Sequence, residues 1–184
     1  LEPTPKPKTI AVVGAGPAGL AFSTTAAERG HKVTLFDGAA EIGGQFNMAK
    51  RIPGKEEFYE TLRYFTVRLK ETGVELQLNT RVDADALSDG FDAVILATGV
   101  TPRQLDLPGI DHPSVLSYID VLKNDAPVGK RVALIGAGGI GFDVAEFLTH
   151  QEGAADGIDG YLAEWGVDRR METAGGLMPA ADPE

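Results

Sequence analysis

Residues 9–30 read TIAVVGAGPAGLAFSTTAAERG, and this stretch decides the fold. Residues 9–13 form a short apolar run rich in β-branched residues, the pattern of a buried strand in a parallel sheet. Gly14-x-Gly16-x-x-Gly19 follows at once. An Ala-rich helical run comes next and stops at Gly30, a residue suited to the position just past a helix end. Residues 32–36, KVTLF, predict a second strand, with Asp37 at its end.

Each glycine has a separate task in this spacing. Gly14 permits a tight turn out of the strand. Gly16, having no side chain, lets a pyrophosphate approach the backbone. Gly19 lets the helix pack closely on the strand. The N-terminus of the helix then offers free N–H groups and partial positive charge. Pro17 suits that place, because an N–H in the first turn has no intrahelical partner. Asp37 stands 23 residues after Gly14, where a carboxylate can accept from ribose hydroxyls. A plain glycine turn explains the glycines alone, but not strand, glycines, helix, strand and acid in that order.

The bulk figures narrow the partners. The 184 residues carry a net charge of −10, with 43% hydrophobic and 24% charged residues. That suits a globular chain with a real core and no basic stripe for nucleic acid. Phosphate-bearing cofactors stay open, because glycine bends hold them through backbone N–H groups. With no cysteine, this stretch can hold no disulfide, Cys-ligated zinc, iron–sulfur cluster or thiol redox pair. No apolar run approaches the ~20 residues of a membrane span, and no secretory signal opens the chain. Cytoplasmic is the default expectation.

Residues 1–8, LEPTPKPK, predict an extended linker, with something preceding it. After Asp37, Gly43-Gly44 allows backbone to pass close to a flat ligand. Residues 55–72 predict an amphipathic helix, with Phe58, Leu62, Phe65 and Leu69 at helical spacing and Gly73 as its stop. Residues 74–78 predict a short strand, 83–89 a solvated polar connection, and 91–99 a buried strand ending in Ala97-Thr98-Gly99. Pro102, Pro108 and Pro113 mark a connection between two domains, and a short helix is expected from Ser117. His31, His112 and His150 are expected at the surface.

The opening theme then returns. Residues 130–141, KRVALIGAGGIG, match residues 8–19 at a constant offset of 122, so Gly136, Gly138 and Gly141 repeat Gly14, Gly16 and Gly19. A helix is expected over 142–149. Two strand–glycine–helix units predict two dinucleotide sites. The second unit lacks the β-branched run that should carry its ribose-reading residue, which places the end of this sequence inside a second domain. A single helical turn is expected at 162–165, and a loose stretch from Ala174 onward.

The order of GAGPAG, Gly43-Gly44, Ala97-Thr98-Gly99 and GAGGIG resembles the two-dinucleotide flavoprotein reductases. EIGGQFNMAKRIPGKEEFYETLRY, GIDHPSVLSYIDVL, GAGGIGFDVAEFL and the EWG and AGG-L of residues 165–177 are most similar to bacterial NADPH-dependent 2,4-dienoyl-CoA reductases. The resemblance implies an α/β class: a Rossmann-like FAD/NAD(P)-binding fold with a parallel sheet and two dinucleotide-binding units, the second incomplete. It places an FAD-binding domain at 9–107 and the start of an NAD(P)-binding domain at 108–184.

It further implies an electron relay from NADPH to FAD, and onward to an FMN and an iron–sulfur cluster in a preceding barrel domain. Gly14, Gly16, Pro17, Ala18 and Gly19 would then face the FAD pyrophosphate, and Asp37 its adenosine ribose. Gly43, Gly44 and Gln45 would lie along the flavin. Val82, Thr98 and Gly99 would border the adenine and the phosphates. Gly136, Gly138, Gly139, Ile140 and Gly141 would receive the NADPH pyrophosphate. Asp143 would either compensate the helix dipole or act near the nicotinamide. No residue is expected to be catalytic for enoyl reduction, because the cofactors carry the chemistry. In this family the chain returns to complete the flavin site after the NADP domain, so weak FAD retention is expected of these 184 residues. A related flavin oxidoreductase, an amine dehydrogenase of the same plan and a catalytically silent nucleotide-binding module are the alternatives.

Overall fold

A computed structural model describes residues 1–103, 105–150 and 157–178, the side chain of Glu164 excepted. It divides into two compact units, residues 1–147 and 148–184. The boundary expected at 107/108 lies inside the first.

The first unit holds a four-stranded parallel sheet in the order β3-β2-β1-β4. Its strands are β1 (Thr9–Val13), β2 (Lys32–Phe36), β3 (Glu75–Gln77) and β4 (Ala93–Leu96). Helix α1 (Pro17–Glu28) joins β1 to β2; α2 (Phe46–Ala49) and α3 (Glu57–Thr72) lie between β2 and β3. These connections step outward in one direction. The third, through α4 (Ala84–Ser88), crosses back to the far edge. Right-handed crossovers therefore put α4 on the face opposite α1 and α3.

Side-chain alternation agrees with that division. Ala93 and Ile95 of β4 face the core with Leu20 and Leu69. Val94 and Leu96, on the other face, share a concavity with Ala84 and Leu87 of α4. Val12, Leu20, Val33 and Leu35 are essentially fully buried, each contributing ~1.5–3 kcal/mol. The stripe on α3 presents only Leu69 fully buried, with Phe65 half-buried beside it. Gly73 closes α3 in the left-handed region. Arg68 of α3 pairs with Glu28 at the end of α1.

Ser23 on α1 is fully buried and its Oγ has no hydrogen-bond partner among the described residues. Ser23→Ala removes that unpaired polar atom, so a rise in stability of about 1 kcal/mol is expected in a denaturant melt.

Several sequence expectations are revised. Residues 83–89 are not a plain solvated connection: Asp83 caps α4, its Oδ1 accepting from Ala86 N at 2.9 Å. Residues 1–8 have no regular structure but are fastened, Thr4 N donating to Arg29 O at 2.7 Å and Lys8 N to His31 Nδ1 at 3.1 Å. His31 is accordingly half-buried, whereas His112 and His150 are exposed. The helix from Ser117 forms as α5 (Tyr118–Leu122), with Ser117 and Asp120 capping each other.

The largest revision concerns residues 130–135, which form no strand. Val132, Leu134 and Ile135 are exposed, unlike their buried counterparts Ile10 and Val12. A strand exists through its ladder, and no described segment pairs with this one. Helix α6 (Gly139–Thr149) still follows, starting three residues earlier than expected.

In residues 148–184, α7 (Gly157–Glu164) replaces the single turn expected there. Within the stretch expected to be loose, residues 174–178 are anchored, since Leu177 bridges Val167 and Asp168 N donates to Gly176 O at 2.9 Å. Residues 179–184 lie outside the described residues. The Asp168 carboxylate accepts from the backbone N–H groups of Thr173, Arg170 and Glu172 at 2.7–2.9 Å. Its hydrogen bonds, those from Thr173 foremost, hold its pKa below the ordinary carboxylate value. Stabilisation of the charged form is complete above the unfolded value of about 4 and disappears as pH falls through the lower folded one. The protection of the Arg170, Glu172 and Thr173 amides, measured against their intrinsic exchange rates, should therefore be present at neutral pH and fall as pH drops below about 4.

Candidate functional site

In the sheet order, the chain steps one way from β1 and the other way to β4. The crevice at their carboxyl ends is therefore the topological switch point where doubly wound sheets bind ligands. The first glycine bend stands there. Gly14 has φ +110°, and a Cβ on it would meet Ala97 O at 2.2 Å. This close approach requires glycine and presses the bend against Ala97-Thr98-Gly99. A Cβ on Gly19 would meet Gly14 O at 1.8 Å, which is the close helix–strand packing expected of the third glycine.

Gly16 differs: a Cβ there would have no protein atom within 4 Å. That open side faces the start of α1, where Pro17 leads and no acid occupies the first turn. Leu20 N closes the first turn on Gly16 O at 2.9 Å, and the N–H groups of Ala18 and Gly19 precede any intrahelical partner. The arrangement is a cradle for an anion, shaped by backbone.

Asp37 belongs to the same structure. Its Oδ2 accepts from Ala15 N at 2.6 Å and its Oδ1 from Ala39 N at 2.7 Å. The carboxylate thus ties the bend to the exit of β2 and keeps lone pairs for further donors. Gly43 N donates to Ala15 O at 2.8 Å, and Gly44 sits against Gly16, with 3.1 Å between its Cβ position and Gly16 Cα. The doublet therefore buttresses the bend. Gln45 caps α2. Val82 and Thr98 share the concavity with Val13, Leu87, Val94 and Leu96 on the α4 face.

The second bend repeats the local geometry of the first. Gly136 has φ +115°, and a Cβ on Gly141 would meet Gly136 O at 2.7 Å. Phe142 N donates to Gly138 O at 3.2 Å, matching Leu20 N and Gly16 O at the same offset. Gly138 and Gly139 have open surroundings, and Ile140 is exposed.

Asp143 is the fifth residue of α6 and so lies past the first turn, not within it. It pairs with Lys55 at 2.6 Å. Arg51, four residues before Lys55 in the connection between α2 and α3, pairs with Asp125, donates to Leu122 O and lies over the Phe147 ring at 5.2 Å. Sequence reading missed both cations, because their hydrogen-bonding partners lie 71–88 residues away and leave no local signal. Both partners of the Lys55–Asp143 pair are partly exposed, so Lys55→Met and Asp143→Asn should each cost up to about 1 kcal/mol. The double variant should cost little more than either single one in a thermal-melt cycle.

A family model for pyridine nucleotide-disulphide oxidoreductases matches residues 8–160. The chain belongs to this family. Its class is accordingly that of FAD/NAD(P)-dependent oxidoreductases, although this stretch has no cysteine for disulfide chemistry. A metal reductase of Desulforamulus reducens is 34% identical over 154 residues, covering 81% of this chain and 23% of the relative. A solved 2-naphthoyl-CoA reductase complex is 34% identical with a TM-score of 0.76, covering 80% of this chain and 22% of that one. FprA of Mycobacterium tuberculosis in complex with NADPH is 25% identical with a TM-score of 0.64, covering 76% of this chain and 36% of that one. The chain thus spans roughly a quarter of the length of the curated relative and of the naphthoyl-CoA reductase. The parallel sheet and Rossmann-like class expected from the sequence are those observed. No helix among the described residues is long and apolar enough to cross a membrane.

Proposed function

We propose that this chain is the FAD- and NADPH-binding region of an enzyme similar to the 2,4-dienoyl-CoA reductases, handing electrons toward an acyl-CoA substrate bound elsewhere in a longer protein. The observation that carries the reading is the repeated bend. Two glycine turns of the same local geometry, one with an acid at the next strand end, suit two dinucleotides. A silent nucleotide-binding module has use for one.

The residues fit such cofactors. The Gly16 cradle and the N–H groups of Ala18 and Gly19 would hold the FAD pyrophosphate, with Asp37 taking the ribose diol. Gly138, Gly139 and the start of α6 would hold the pyrophosphate of NADPH, which the resemblance favours over NADH. When bound, the pair supplies hydride transfer from nicotinamide to flavin. The chain's own part is alignment: Ala97 fixes the first bend, and Arg51 and Lys55 fasten the element that follows the second. An acyl-CoA as the final acceptor is supported by the sequence resemblance and by the likeness to a naphthoyl-CoA reductase. The partner implied is a flavin barrel carrying FMN and an iron–sulfur cluster in the same polypeptide.

The test is NADPH oxidation by the full-length protein with a 2,4-dienoyl-CoA, alongside flavin bleaching by NADPH alone. Flavin bleaching with acyl-CoA-dependent turnover supports the proposal. Bleaching without acyl-CoA turnover removes the substrate, and absence of bleaching removes the relay.

A further inference from the structure

The adenosine half of the proposed FAD has a partner for its ribose in Asp37 and, by the resemblance, Val82 at the border of its adenine, but no planar or charged group for the face of that base. The carboxyl ends of β1, β2 and β3 stand side by side in that order. They carry, in turn, the glycine bend, Asp37 and the loop at residues 78–82. Neighbouring strands lie about 5 Å apart, so the three ends span about 10 Å, the reach from a pyrophosphate through a ribose to a purine.

Arg81 occupies the third place. Its loop is fixed to the exit of β2: Asp37 N donates to Gln77 O at 3.0 Å, Asn79 N to Ala39 O at 2.8 Å and Thr80 N to Asp37 O at 2.8 Å. Asn79, at φ +53°, makes the turn. The Arg81 stem then lies along Gly38, the residue after the ribose acid. Its Cγ is 3.1 Å and its Nε 3.5 Å from where a Gly38 Cβ would stand. Arg81 is exposed, and no carboxylate among the described residues pairs with it. A planar cation is therefore held beside the ribose acid with its charge unmatched.

We infer that Arg81 lays its guanidinium plane against the adenine of the dinucleotide held at the first bend. Delocalised and planar, this group stacks on aromatic rings where a lysine gives only a point charge. The other use of an arginine beside a ribose is to pair with a 2′-phosphate. Asp37, one residue from Gly38 with its carboxylate held in place by Ala15 N and Ala39 N, repels that group. The inference rests on reading the first bend as a dinucleotide cradle.

The test is calorimetric titration of the 184-residue chain with ADP and, separately, with inorganic pyrophosphate. Arg81→Leu keeps an apolar stem over Gly38, and Arg81→Lys keeps the charge. Arg81→Leu should weaken ADP binding about 3- to 30-fold and leave pyrophosphate binding unchanged, with Arg81→Lys recovering only part of the loss. Unchanged ADP binding in Arg81→Leu overturns the inference. So does full recovery by Arg81→Lys, or an equal loss for pyrophosphate, since either assigns the guanidinium to the phosphates. A wild-type chain that binds neither probe overturns the cradle itself, and the inference with it.

Discussion

Alanine at Gly16 is expected to abolish measurable ADP binding while leaving the chain folded, and alanine at Gly19 is expected to unfold the bend first. The two glycines sit three residues apart in one turn, yet their surroundings are opposite. At Gly16 the added methyl meets no protein atom within 4 Å, and the backbone, at φ −76°, suits alanine. Its cost to stability should stay within about 1 kcal/mol, the scale of a weakened N-cap. The methyl would instead fill the space reserved for a pyrophosphate. At Gly19 the methyl would stand 1.8 Å from Gly14 O, a backbone atom that cannot swing aside. Relief requires α1 to lift from β1, at a cost of about 3 kcal/mol or more. Thermal melts and ADP titrations of both variants separate the effects. Wild-type ADP affinity in Gly16→Ala would move the phosphates away from this face.

Removing the Asp37 carboxylate should have the second large effect. Asp37→Ala strands the N–H groups of Ala15 and Ala39, and charge-assisted bonds of this kind are worth about 1.5–3 kcal/mol each. Part of that loss appears as stability, with a melt lowered by about 2 kcal/mol. The remainder appears as ligand affinity, with ADP binding weakened at least tenfold, or ~1.4 kcal/mol. Comparing ADP with 2′-deoxy-ADP divides the two roles. The wild-type chain should prefer ADP, and Asp37→Ala should lose the preference. Were both ligands weakened equally, Asp37 would serve only to hold the bend.

Elements whose signals lie within a dozen residues were readable before the structure. β1, α1 and β2 announce themselves through an apolar run, a glycine stop and a second apolar run, and all three form where expected. The three glycines of the first bend each have the surroundings their spacing implied. Residues 130–135 carry an equally good strand signal and form none, because a strand also needs a neighbour that its own sequence cannot supply. Asp83 is one acid among several in residues 83–89, so its place as the N-cap of α4 has no separate signal, although aspartate is a good N-cap residue. Arg81, Arg51 and Lys55 were unreadable for another reason. Each acts on a residue 43 to 88 positions away, brought near only by the order of strands and connections.

The contact of Gly14 with Ala97 divides the site into a part that cannot drift and a part that can. The loops after β1 and β4 touch backbone to backbone, so almost any side chain at position 14 would pry them apart. On the proposed reading the ends of β2 and β3 would meet a ligand through Asp37 and Arg81; replacing Arg81 leaves that floor intact, whereas Asp37 also holds the bend through Ala15 N. Retargeting this module to another nucleotide then begins at Arg81, with any exchange at Asp37 needing a new acceptor for Ala15 N, which makes the fixed floor a starting scaffold for cofactor engineering.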